Sequence, residues 1–395
     1  MATVRALIKP ELLLWARETA GLGVGEAAAK LAQPQHRLES WERGDSRPTI
    51  KQLETIARVY KRPFEVFYLP EPPKDFQPLQ HDFRRLPGKV AGVQSAELRY
   101  EIRQAHTRRE VALELYEGTD EEPPRFSLEA ALTDDPERVG HSIHTALATG
   151  SHPKWAGPYD SFNFWRSKLE NAGILVFQAL KIDRAEMRGF SINERPLPVI
   201  VLNIKDSPAA RTFTMVHELV HLMLRESGLC DLTEEQAKRT PEMMRIERFC
   251  NMVAGATLVP RHELLGDPRV RAKGVGRTAW SDDELRPIAR KFGVSPLALL
   301  RRLLIFERTT TTFYQQKHAE SEKRNTEAED NKGRDGGGFA PPDRIAVSTA
   351  GPLFVRLVLT NYHQDAITAS AVSDFLSVRL KWLNKIEAAV FGSAA

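Results

Sequence analysis

The sequence predicts an α+β chain that is mostly helical: an all-α amino-terminal bundle, a middle domain with a short β-sheet and two prominent helices, and a small helical carboxy-terminal piece. Three observations carry this. Apolar residues recur at helical spacing through the first 70 residues, three short β-branched and aromatic runs bounded by turn residues lie between 172 and 202, and two helical patterns follow near 208–224 and 240–254. With 395 residues, 42% of them hydrophobic, the chain has material for more than one core.

In the first 70 residues, Glu11–Ala20, Val24–Leu31, Gln35–Trp41, Ile50–Tyr60 and Pro63–Tyr68 read as five short helices, with Ala28 and Leu38 at apolar positions that a helix-turn-helix pair needs. The run Trp41-Glu42-Arg43-Gly44, then Arg47-Pro48-Thr49, Leu53 and Ile56-Ala57, is similar to the XRE (Cro/CI-type) DNA-binding domain. That resemblance implies a recognition helix in the major groove. Gln35, His36, Arg37, Glu39 and Ser40 would then face bases, with Arg43 and Arg47 near phosphate. A palindromic operator would imply a homodimer. The chain departs from the pattern at Ala32, where a turn glycine is usual, and at Gln33, where an apolar residue is usual. A bundle that binds only a partner protein is the alternative.

Leu69-Pro70-Glu71-Pro72-Pro73-Lys74 reads as a stiff extended connector. Helical patterns follow at Ser95–Leu115 and Asp135–Thr149, within a connector and helical region at 71–160, and at Ser161–Asn171 beyond it. Ala172–Phe177, Met187–Ile192 and Leu197–Leu202 are the three strands. The sequence does not say which strand is the sheet edge.

The next helix carries the chemistry. Ser207 can cap it, Pro208 fits its first position and Gly228 lies past its expected end. Within it, His217-Glu218-Leu219-Val220-His221 is the zinc-hydrolase signature His-Glu-x-x-His. Residues four apart share a helix face, so His217 and His221 can direct two imidazole nitrogens at one ion, with Glu218 placed to accept a proton from a bound water. The helix is apolar nearly all round, so these polar groups must be hydrogen-bonded or metal-bound. One class of such sites takes a third ligand six residues after the second histidine, with glycine at the third. Ser227 and Leu224 stand at those positions and exclude it. The other main class draws a glutamate from a following helix. Glu247, which shares a helical face with Asn251 and Ala254, is the candidate, and a solvated helix carboxylate is its alternative reading. Glu242 reads as a first-turn acid in a helix capped by Thr240.

Arg211-Thr212-Phe213-Thr214 leading into His217-Glu218-Leu219-Val220-His221, then Glu247, Cys250-Asn251 and Ala254 ending near Leu258-Val259-Pro260, resembles the ImmA/IrrE family of metallo-endopeptidases over roughly 162–302. The resemblance implies a small zincin-like fold at 161–310. It also implies Zn2+ held by His217, His221 and Glu247, Glu218 as catalytic base, and Asn251 orienting a ligand. Family members cut repressor proteins, so it implies a repressor or antitoxin-type substrate. Val220 and Cys250 replace the usual glycine and alanine, and neither change removes a ligand. The alternative is a helix-turn-helix regulator or antitoxin-like protein whose zinc is structural or sensory. Nothing in the sequence identifies an oxyanion-stabilising group; His262 and Arg211 are guesses, and each reads more readily as structural.

Asp283–Phe306 reads as two helices joined at Phe292-Gly293-Val294-Ser295, a structural subdomain that imitates a second helix-turn-helix. The charged, Gly-rich segment 311–343 reads as a flexible or partly helical linker, and 344–395 as a small helical region. A net charge of +4, with eleven Lys/Arg against eight Asp/Glu in residues 1–70, is compatible with DNA contact without demonstrating it. Two cysteines, Cys230 and Cys250, argue against a disulfide scaffold and read as two buried thiols. No apolar run approaches the roughly 18 residues of a membrane span, and a cytoplasmic protein is expected.

Overall fold

Prolines and polar caps delimit the amino-terminal helices. The computed structural model describes residues 4–73, 95–119, 121–148, 155–225, 228–230, 241–274, 279–332 and 340–392. The chain divides into two units, Met1–His106 and Thr107–Ala395. The first holds α1 (Pro10–Thr19), α2 (Val24–Lys30), α3 (Gln35–Arg43), α4 (Ile50–Tyr60), a 3-10 turn at Phe64–Tyr68 and the start of α5 (Ala96–Gly118), within which the division falls. Pro10 opens α1, where its missing N–H has no helical partner to lose, and Thr49 and Gln52 cap α4 reciprocally. Leu13, Ala16, Ala28, Leu38, Trp41, Leu53 and Ile56 form the core of this bundle.

Between α2 and α3, Ala32 adopts φ 50, the left-handed region that favours glycine. The turn is therefore made despite the missing glycine, at a local cost of about 1–2 kcal/mol. The proline-rich connector is described as far as Pro73, and Lys74 lies outside the described residues.

The second unit continues with α6 (Pro136–Leu147), α7 (Asp160–Asn171), β1 (Leu175–Ala179), β2 (Gly189–Ile192), β3 (Val199–Asn203), α8 (Pro208–Met223), β4 (Gly228–Cys230) and α9 (Pro241–Leu258). Helices α10 (Arg261–Gly266), α11 (Pro268–Lys273), α12 (Asp282–Phe292), α13 (Pro296–Ile305) and α14 (Thr311–Lys332) follow. The chain ends with α15 (Pro342–Ala350), α16 (Pro352–His363), α17 (Ala369–Phe375) and α18 (Leu383–Phe391).

The four strands lie in the order β1-β3-β2-β4, with β1 parallel to β3 and β2 antiparallel to both neighbours. Every residue of β1, β2 and β3 is buried, as expected of strands covered on both faces. Val176, Ile200 and Leu202 share a core with Val216, Leu219 and Val220 of α8, whereas Phe177 packs edge-on against Phe354 of α16. Among the described residues the sheet edges are β1 and β4. The strand β4 carries no run of β-branched or aromatic residues and was not anticipated.

The helix bearing the His-Glu-x-x-His run begins as expected, with the Ser207 hydroxyl accepting from the Ala210 N–H and Pro208 at its first position. Its end differs. Helix α8 stops at Met223, Arg225 makes the left-handed turn at φ 57, and Gly228 belongs to β4 rather than to a helix terminus. Helix α9 is described from Pro241, so the expected Thr240 cap lies outside the described residues. It packs against α6 at Gly140, where an added Cβ would stand 2.5 Å from the Ala256 Cβ and 2.8 Å from the Thr257 nitrogen. Only glycine allows that approach.

The segment 311–343, read as a flexible or partly helical linker, is helical over α14 as far as Lys332, with Lys317 pairing with Asp282 and Glu320. The helices after it belong to the second unit: α15 packs on β1, Arg166 of α7 donates to the carbonyls of Val176 and Ser348, and Gln178 donates to Ser348. Arg166 and Glu170, both nearly inaccessible, stand 3.3 Å apart, and a Glu170 oxygen accepts from the Leu353 N–H. No described helix is long and apolar enough to cross a membrane.

Candidate functional site

The packing of α8 against α9 brings together His217, His221, Glu247 and Asn251. His217 and His221, one turn apart on α8, place their Nε2 atoms 3.1 Å from each other. Glu247 of α9 faces both, with one oxygen 3.4 Å from His217 Nε2 and the other 3.5 Å from His221 Nε2. For a cation held tetrahedrally by N and O donors at about 2.0–2.1 Å, donors stand about 3.3 Å apart. The three observed separations bracket that value.

Asn251, one turn beyond Glu247, accepts through Oδ1 from His217 Nδ1 at 3.1 Å. With its proton on Nδ1, His217 keeps a lone pair on Nε2, directed at the other two donors. Two imidazoles and a carboxylate so close, with both histidines at least 94% inaccessible, call for a positive charge between them. Burial opposes the Glu247 charge, yet its contacts with His217 and His221 outweigh this and hold its carboxyl well below the usual range.

Glu218 is fully buried, and neither of its oxygens makes a hydrogen bond among the described residues. Burial pushes its carboxyl above the usual range against the pull of His221 and His217. Strand β2 forms the wall beside it. A Cβ added to Gly189 would lie 3.3 Å from Glu218 Oε1 and 2.6 Å from the Thr214 methyl, so glycine keeps that space open. Gly189 and Ser191 were missed by sequence reading, because only tertiary packing carries β2 to the motif helix.

The candidate oxyanion groups are elsewhere. Arg211 donates to Gln178 and lies over the rings of Phe162, at 4.8 Å, and Tyr159, at 5.4 Å, anchoring α8 to α7 and β1. His262 is exposed on α10, in a surface cleft with His141 and Glu137. Neither has a described contact with the donor cluster. Of the two cysteines, Cys250 is buried and unbridged beside His221.

Residues 169–304 match the Peptidase M78 family model, the IrrE N-terminal-like domain. The Peptidase M78 match covers the sheet, the motif helix and α9, and it supports a metallopeptidase-type function for this segment. It spans well under half of the chain and does not reach the amino-terminal helices. Comparison with curated proteins gives no match.

In the first unit, α3 buries Leu38 and Trp41 and exposes Gln35, His36 and Arg37. Glu39 is half-buried and accepts from Gln35 at 2.8 Å, and the half-buried Ser40 shares a 2.7 Å hydroxyl contact with Ser46. Arg43 pairs with Asp45 at 2.9 Å, and Arg47 is exposed while its carbonyl accepts from Arg5. The outward side of α3 thus offers two guanidinium groups, Arg37 and the Asp45-paired Arg43, with one imidazole and one amide.

Proposed function

We propose that the second unit holds a zinc metallo-endopeptidase of zincin-like fold, joined to an XRE-type DNA-binding module, which hydrolyses a peptide bond in a repressor or antitoxin-type protein. The observation that carries the reading is the convergence of His217, His221 and Glu247 at separations that suit a tetrahedral cation. Zinc, when bound there, would lower the pKa of a water and polarise the scissile carbonyl.

The chain's own groups supply the rest. Glu218, next to the first histidine and walled by Gly189, accepts the proton of the attacking water and passes it to the leaving amine. Burial raises its pKa, the direction that suits a group that must both take and return a proton. Asn251 fixes the His217 ring so that Nε2 remains the ligand atom. Chelation should abolish hydrolysis of an unfolded protein such as casein, and one equivalent of zinc should restore it. Zinc bound without hydrolysis would instead favour a regulator whose metal is structural or sensory.

For the first unit, the exposed Gln35, His36 and Arg37 on a helix-turn-helix pair support DNA binding. Because such binding rests largely on phosphate contacts, affinity for operator DNA measured by fluorescence anisotropy should fall steeply with salt. Replacing Arg37 by Ala should relax base preference at a cost of about 1–3 kcal/mol. Absence of duplex binding at low salt would sink the DNA-binding half of the reading and leave the peptidase half untouched.

A further inference from the structure

Helix α9 brings a second side chain close to His217 and His221. Cys250 lies three residues after Glu247, and residues at i and i+3 share a helix face. Its Sγ and one ring nitrogen from each of His217 and His221 all lie within 4.8 Å of one another. The side chain is wholly buried and in no disulfide.

Resting on the zinc reading above, we propose that Cys250 is a fourth metal donor, so that His217, His221, Glu247 and Cys250 close the coordination shell in a resting state. Two helices would then supply four donors: two nitrogens four residues apart on α8, and an oxygen and a sulfur three residues apart on α9. The donor chemistry suits zinc, which accepts thiolate sulfur at about 2.3 Å together with imidazole and carboxylate. The S–H proton leaves to solvent as the sulfur–metal bond forms, and the water that held the fourth position leaves with it. No oxidant or reductant is involved. Because a catalytic shell needs one open position, the closed set is inactive until sulfur gives way to water. Cys250 is thereby a built-in competitor of the catalytic water.

Cobalt(II) substitution reads the sulfur directly, since thiolate bound to cobalt gives a near-ultraviolet charge-transfer band that imidazole and carboxylate do not. Full-length wild type loaded with about one cobalt per chain should show this band. Cys250→Ala should retain cobalt and lose the band, with a gain in peptidase activity, whereas Cys230→Ser should leave the band intact. Cys250→Ser is the second variant should Cys250→Ala fold poorly, and it too should lose the band. Cobalt bound to wild type without the band overturns the sulfur ligand alone, as does a band that survives in Cys250→Ala or Cys250→Ser. A well-folded wild type that binds no cobalt overturns the metal reading and this inference together.

Discussion

Replacing Glu218 with Gln should lower kcat for peptide hydrolysis by about 10²–10⁴-fold while leaving bound metal unchanged. The substitution keeps the shape of a fully buried side chain and removes only its capacity to take a proton. It also has a stability signature. Burial raises the folded-state pKa of Glu218 above its unfolded value, so in the metal-free protein the protonated form is favoured by folding. That contribution is complete below the ordinary glutamate range and is lost as pH rises through the raised pKa. Metal-free wild type should therefore lose stability across this window, and metal-free Glu218→Gln should not. Hydrolysis unchanged in the variant, measured with matched metal content, would remove Glu218 from the chemistry.

The second large effect falls on the buried pair Arg166 and Glu170. Burial works against both charges, raising the Glu170 carboxyl and lowering the Arg166 guanidinium, and each partner opposes the effect on the other. Glu170→Leu would strand a buried guanidinium and leave the Leu353 N–H without its acceptor, at a cost of about 3–5 kcal/mol. Arg166→Met would leave the carbonyl of Val176 without its guanidinium donor, while Ser348 keeps Gln178, so it too should destabilise. The double variant should cost less than the sum of the two singles, with a coupling of about 0.5–3 kcal/mol by urea unfolding. Additive losses would mean that the two charges do not act as a pair.

The residues of the candidate metal site were legible because their chemistry is written at short range. A His-x-x-x-His spacing needs only helix geometry to bring two nitrogens together, and Ser207-Pro208 marks where that helix starts. Glu247 and Asn251 needed the resemblance as well, since spacing alone leaves a solvated carboxylate open. What was not legible depends on contacts between distant segments. Gly189 and Ser191 flank Glu218 only because β2 lies across α8. Strand β4 is three residues long without a period to detect, and the left-handed turn fell on Arg225 instead of a glycine. The carboxy-terminal helices read as a separate piece because nothing in 344–395 announces that the Ser348 carbonyl will meet Arg166 and Gln178. The distance of Cys250 from the histidines was likewise invisible, although its position in the motif was plain.

Metal content per chain, measured by elemental analysis on wild type and on His217→Ala/His221→Ala purified side by side without chelator, tests the central claim most directly. The account predicts about one zinc in wild type and almost none in the double variant, with both chains folded by circular dichroism. Zinc retained in full by the double variant, or a well-folded wild type without metal, would contradict it.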